Sequence, residues 1–120
     1  IKVAVSYDLK TWFGDESFLF PMGDAIAYAR PSVIIIDNIF HMWFSVRKSK
    51  RDYVVRHATS KDGLKFEIDN NLRLYPSKTG WDSEMVAYPH VFKHKKDIFM
   101  LYCGNGYSSS GFGLAKIKRK

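Results

Sequence analysis

The sequence predicts an all-β protein made of β-propeller blades in four-stranded antiparallel sheets, and three observations carry that expectation. Short apolar or alternating segments bounded by turn residues fill the chain, while no window of 12 or more residues spaces its apolar positions as a capped helix does. The segments recur at a nearly constant interval. The recurring unit, roughly 50 to 60 residues with four short strands, has the size of a propeller blade. A lone sandwich of 120 residues is the alternative, and the agreement of the intervals disfavours it.

Taken in order, "IKVAVSYD" opens without Met, directly in strand-like sequence, with no signal-peptide pattern. It reads as beginning inside a larger protein, and a bacterial cytoplasmic location is expected. "SVIII" and "IFHMWFSV" flank Asp37-Asn38, a pair that tolerates left-handed backbone and suits a tight hairpin. "YVVRHATS" is the next strand, and "KDGLKF" supplies a turn in which Gly63 accepts positive φ. "HVFKH" and "DIFMLYCG" form a second hairpin around "KK", and "GFGLAKIK" is the last strand.

The repeat is direct. Ala29-Arg30-Pro31-Ser32-Val33 matches Ala87-Tyr88-Pro89-His90-Val91 at an offset of 58. Ile39 to Trp43 matches Ile98 to Tyr102 at 59, and His57-Ala58 matches Leu114-Ala115 at 57. "AVSYDLKTW" matches "ATSKDGLKF" at 54. The chain therefore reads as about two to two and a half blades. A single blade leaves its faces unburied, so neighbours are required.

Composition narrows the function classes. Apolar residues make up 46% and aromatics 16%, too many for a disordered chain. The apolar runs, such as Val33 to Ile36, are too short to span a membrane as a helix. The net charge of +7 gathers in Arg47–Arg51 and Lys116–Lys120. Such clusters can meet nucleic acid, but these read as a loop and a tail without interleaved aromatics, so nucleic acid is not the expected partner. A lone Cys103 in an apolar strand reads as a buried inert thiol. Four His without a Cys pair or HExxH give a zinc site no support, and no metal or cofactor is expected.

"ARPSV", "HATSKDGLKF", "GWDSEMVAYPHV" and "FMLYCGNGYSSSGFGLA" together resemble the five-bladed β-propeller glycosidase-like superfamily of glycoside hydrolase families 43, 32, 68 and 130, and in particular its uncharacterised bacterial glycosidase-related members. The likeness covers the whole chain. It implies that residues 1–120 form one all-β unit, the C-terminal blades of a larger propeller. Missing N-terminal blades, or self-association, would then cover the open faces. It also implies a funnel-shaped pocket on the axis, a carbohydrate substrate, and acidic residues supplied by several blades. Glu84 is similar in position to the family's general acid. The spacing to Pro89 departs from the usual Glu-x-Pro, and Arg30 and Tyr88 stand where related families often place Asp.

Glycoside hydrolysis needs a carboxylic acid that keeps its proton until the leaving oxygen arrives. Aromatic walls favour that role by desolvation, and Glu84 lies between Trp81 and Tyr88 in sequence. Glu84 is therefore the candidate catalytic acid, against a surface loop carboxylate. Candidate substrate contacts are Arg30, whose fork binds hydroxyls or anions, and Trp81, whose indole stacks on sugars or packs a blade. Asp82 either orients Glu84 or holds a turn, the turn being favoured. Tyr88, His90, Asn105 and Tyr107 complete the set, each also compatible with a purely structural place. Asp62 and Asp37 read as turn residues. A glycoside hydrolase is the favoured function, and a noncatalytic sugar-binding or scaffold relative is the alternative.

Overall fold

A computed structural model describes residues 1–14, 16–49 and 52–118. Lys50, Arg51, Arg119 and Lys120, part of the two basic clusters, lie outside the described residues. Three antiparallel sheets follow one another along the chain. The first pairs β1 (Ala4–Val5) with β2 (Phe13–Gly14). The second runs in order through β3 (Ala27–Ile36), β4 (Ile39–Arg47), β5 (Tyr53–Ser60) and β6 (Glu67–Leu74). The third holds β7 (Ala87–His94), β8 (Asp97–Cys103) and β9 (Phe112–Ile117). The all-β, blade-like expectation holds, with one difference. Only the middle sheet has four strands among the described residues.

Register explains how the sheets correspond. Val33 opposes Met42 in the middle sheet, and Val91 opposes Met100 in the third, so both strands of the hairpin are displaced by 58. The offset of 59 expected for the β4–β8 pair is thus corrected to 58. Apolar residues fall one position apart in the two strands, and hairpin register, not side-chain likeness, sets equivalence. Met42 opposes Ala58 and Met100 opposes Ala115, which keeps the third strand at 57. Ala4 opposes Gly14 as Ala58 opposes Ile68, so β1 and β2 correspond to β5 and the start of β6.

The turns repeat with the strands. Oδ1 of Asp8 accepts from the N–H groups of Lys10 and Thr11 at 2.8 and 2.7 Å. Oδ1 of Asp62 accepts from Leu64 and Lys65 at 2.8 and 2.9 Å. These backbone donors favour the ionised carboxylate and hold both groups at a pKa of about 2. The Asp37-Asn38 turn has both residues left-handed, as expected of a tight hairpin.

The middle sheet is buried on both faces, as the unbroken buried run from Met42 to Val46 requires. On one face Met42, Phe44, Val46 and Ala58 pack with Phe20 and Ala25. On the other, Trp43 and Val55 meet Val91, Ile98 and Met100 of the third sheet. Burying a side chain such as Phe44 contributes about 1.5–3 kcal/mol. Hydroxyls also join the two sheets: Ser45 accepts from the N–H of Tyr88, and Ser32 from that of Val91, each at 2.8 Å. Cys103, the counterpart of Ser45, is a free thiol and only half-buried, correcting the expectation of a buried one. No strand among the described residues covers it as β7 covers Ser45. Among the described residues no helix is long and apolar enough to cross a membrane.

Candidate functional site

Arg30 and Tyr88 occupy equivalent bulges in β3 and β7, where the register shifts between Ala29 and Ser32 and again between Ala87 and His90. Both residues are left-handed, with φ of 54° and 56°. A non-glycine residue in that region before proline costs on the order of 1–3 kcal/mol and persists only where its surroundings enforce it. The bulge turns each side chain out of the strand's alternation. The two then meet: the Arg30 guanidinium lies 5.5 Å from the centre of the Tyr88 ring.

A tyrosine cluster grows from this contact. Tyr107 stacks near Tyr88 at 6.2 Å between ring centres. Tyr53, at the start of β5, packs edge-on to Tyr88 at 6.1 Å and to Tyr107 at 5.7 Å. Arg47 lies 5.9 Å from the Tyr53 ring centre. Its Nε is buried and makes no hydrogen bond. Burial, then the neighbouring Tyr53, raises the Tyr88 hydroxyl pKa above its ordinary value. Tyr107 reaches the cluster because "GNGY" is not a regular helix. In α1 (Asn105–Ser108), Gly106 and Tyr107 are both left-handed.

Asn105 organises the loop that carries Glu84. Its Oδ1 accepts from the N–H groups of Glu84 at 2.8 Å and Met85 at 3.2 Å. Its Nδ2 donates to the Gly80 carbonyl at 3.1 Å. The N–H of Val86 donates to the Tyr53 carbonyl at 3.2 Å, tying the same loop to the tyrosine cluster. Glu84 is exposed. Its backbone is fixed, while its carboxylate makes no hydrogen bond or ion pair among the described residues. Asn105 is thus a positioning residue for Glu84.

The remaining candidates divide differently. Trp81 lies over Gly104 and Gly113, where an added Cβ would fall 2.6 Å from its carbonyl oxygen and 2.5 Å from its ring. It also packs on Tyr102 at 5.5 Å, which is blade packing, although 37% of it stays exposed. Asp82 is buried and accepts from the Tyr102 hydroxyl at 2.9 Å. Its backbone lies in the expected turn, where its carbonyl accepts from the Ser77 N–H at 3.1 Å, while its carboxylate anchors Tyr102, which packs on Trp81. Burial and this bond push the Tyr102 pKa up to about 12. His90 is exposed and stacks on Phe92 at 6.0 Å, a sheet-surface contact outside the tyrosine cluster.

Sequence reasoning missed Tyr53 and Arg47. Both sit at strand ends beside the basic loop, and only their convergence in space distinguishes them. It also missed a set around the buried His57, in which Nδ1 of the half-buried His41 and Nε2 of His57 are 3.0 Å apart. Nδ1 of His57 lies 3.3 Å from Asp69 but is too poorly directed for a hydrogen bond. Burial foremost, with His41 adding to it, lowers the His57 pKa to about 4 against the opposing pull of Asp69. Among the described residues no group of three metal-ligating side chains is assembled. A groove of about 600 Å³, lined by Val3, Val5, Phe13, Phe18 and others with Lys65, is largely apolar. It lacks the arginine and tyrosine groups that converge at the bulges.

No family model matches the chain. Two uncharacterised proteins of Mycobacterium tuberculosis, from strains CDC 1551 and H37Rv, are each 41% identical to it over 96 residues. The match covers 79% of this chain and 31% of theirs, so the chain spans under a third of the curated relatives it matches. Among solved structures, a complex of BT0996 with RGII superposes with a TM-score of 0.70 at 18% identity, over 98% of this chain and 35% of that one. A glycoside hydrolase gives 0.69 at 18%, over 99% and 36%. The fold is thus shared with propeller-like glycoside hydrolase structures.

Proposed function

We propose that the chain forms part of the carbohydrate pocket of a glycosidase-like propeller protein, and that the intact protein hydrolyses a glycosidic bond with Glu84 as general acid. The observation that carries this reading is the convergence of Arg30, Tyr88 and Tyr107 from two sheets and a loop onto one patch. Flat aromatic faces pack against sugar C–H groups, and a guanidinium beside them supplies directed donors. Glu84 stands in a loop held rigidly by Asn105, as a group that delivers a proton to a defined oxygen requires. The second carboxylate that glycoside hydrolysis needs then comes from elsewhere in the intact protein. In this reading residues 1–120 are the C-terminal blades. Further blades, or a second copy, cover exposed Val33, Ile35, Phe112 and Leu114.

One feature favours a noncatalytic sugar-binding relative: Arg and Tyr, not Asp, occupy the two bulges. Turnover of aryl glycosides against pH decides between the two. Glu84→Gln in the intact protein lowers hydrolysis about 10² to 10⁴-fold while binding persists, and substrates with the most acidic leaving groups lose least. Equal rates with an unchanged alkaline limb would assign Glu84 to the loop and the proton to another acid, whereas binding without any turnover would favour the noncatalytic reading.

A further inference from the structure

We propose that Arg30, with Arg47 on the far side of the tyrosine cluster, reads an oxyanion on the bound saccharide, so that the protein prefers an acidic sugar to its neutral counterpart. This deepens the carbohydrate reading above and rests on it.

Four observations support the inference. Arg30 is exposed, yet its backbone is held in a left-handed conformation that an ordinary solvated arginine does not need. Its guanidinium lies over the Tyr88 ring, 5.5 Å from the centre. A planar guanidinium against an aromatic face keeps N–H groups at its edge for an acceptor, and its geometry matches a carboxylate or phosphate. Arg47 stands across the cluster over Tyr53, with its buried Nε unpartnered. Finally, the ion pairs found among the described residues engage Lys2, Lys48, His57 and Lys116, so neither arginine is neutralised by a carboxylate there. Two guanidiniums thus border a tyrosine cluster in which Tyr53 is buried while Tyr88 and Tyr107 reach the surface, with no internal counter-ion among the described residues. A neutral sugar satisfies the rings but leaves the charge unmatched. A nucleic-acid strand would need a continuous basic track, whereas these two cations bracket a compact aromatic patch.

The test is calorimetric titration of the intact protein with matched pairs of methyl glycosides: glucoside and glucuronide, galactoside and galacturonide, with glucose 6-phosphate and inorganic phosphate alongside. The acidic member of at least one pair should bind about tenfold tighter, and added salt should shrink that ratio. Arg30→Gln should bring the ratio close to one. Arg30→Lys should retain part of it, since the charge stays and the fork is lost. An advantage for the sugar phosphate alone supports the oxyanion and assigns it to phosphate; an advantage for the uronides alone assigns it to a carboxylate. Thermal melts establish that each variant is folded. If Arg30→Gln does not fold, the salt dependence of the wild-type ratio and the Arg30→Lys value decide the matter. Equal binding of every matched pair, or a ratio that survives Arg30→Gln, would overturn the proposal and leave the carbohydrate reading standing. Inorganic phosphate binding as tightly as any acidic sugar would also overturn it. If no saccharide binds at all, the carbohydrate reading falls with it.

Discussion

The middle and third sheets share a skeleton and differ in what they place on it. Their hairpins correspond at a fixed offset of 58, and both inner strands break at the same left-handed bulge before proline. Yet one bulge presents Arg30 and the other Tyr88. Ser45 accepts the Tyr88 N–H, while its counterpart is Cys103. His57 is fully buried, while its counterpart Leu114 is exposed. Val46 is buried at the position where the third sheet has Gly104, under Trp81. The repeat therefore specifies architecture, and the departures from it build the Arg30–Tyr88 patch and the contact between sheets.

Exchanging these departures tests that division. Gly104→Ala should have the largest effect. Its Cβ would strike the Trp81 carbonyl oxygen at 2.6 Å and press on the indole ring. The backbone there is extended, so the cost is overpacking and not φ. A loss of about 3 kcal/mol is expected by chemical denaturation. Adding Trp81→Ala should restore part of it, since the two changes share one contact.

The buried His57 gives the second effect. Its pKa is about 6.5 unfolded and about 4 folded. Below pH 6.5 the unfolded chain takes up a proton that the folded one refuses, so stability is complete above that pH. It should fall as pH drops from 6.5 to 4 and be insensitive to this group below that. The loss is about 3 kcal/mol at most. His57→Leu, which installs the third sheet's residue, should flatten this limb in denaturation measured against pH.

Ser45→Ala should cost about 1–2 kcal/mol, because the N–H of Tyr88 loses its acceptor in a buried contact. A melting curve reads this, and loss of saccharide binding should accompany it if the bulge shifts. The smallest effects lie in the two Asp turns. Gly63 and Leu9 occupy the same turn position at φ of 74° and 60°. Gly63→Ala should destabilise by about 1 kcal/mol and Leu9→Gly should stabilise by a similar amount, both read from thermal melts.

Much of this architecture was legible in the sequence. Pro31 and Pro89, the Asp37-Asn38 turn and the Ser-x-Asp turns fix backbone geometry locally, so the repeat showed through. Strand β6 did not, because Asp69-Asn70-Asn71 interrupts its apolar alternation and only pairing with β5 makes it a strand. At the candidate site, Arg30 and Tyr88 stand out through their places in the repeat, and Tyr107 through the glycine-flanked "GNGY" loop. Tyr53 and Arg47 were missed, since strand-end residues are joined to the site by distant pairing. The internal partners of Asp82 and Asn105, Tyr102 and the Glu84 backbone, were not legible, because the loops meet only in the fold.

We propose that the two equivalent bulges form one saccharide-binding patch. The most direct measurement is a nuclear magnetic resonance titration of the intact protein, labelled at aromatic rings and arginine side chains, with the neutral and acidic methyl glycosides named above. At least one glycoside should shift Tyr88, Tyr107 and Arg30 together, with Tyr53 following and Phe13 and Phe18 of the apolar groove unmoved. Shifts confined to the groove, or a panel that leaves Tyr88 and Arg30 untouched, would contradict it.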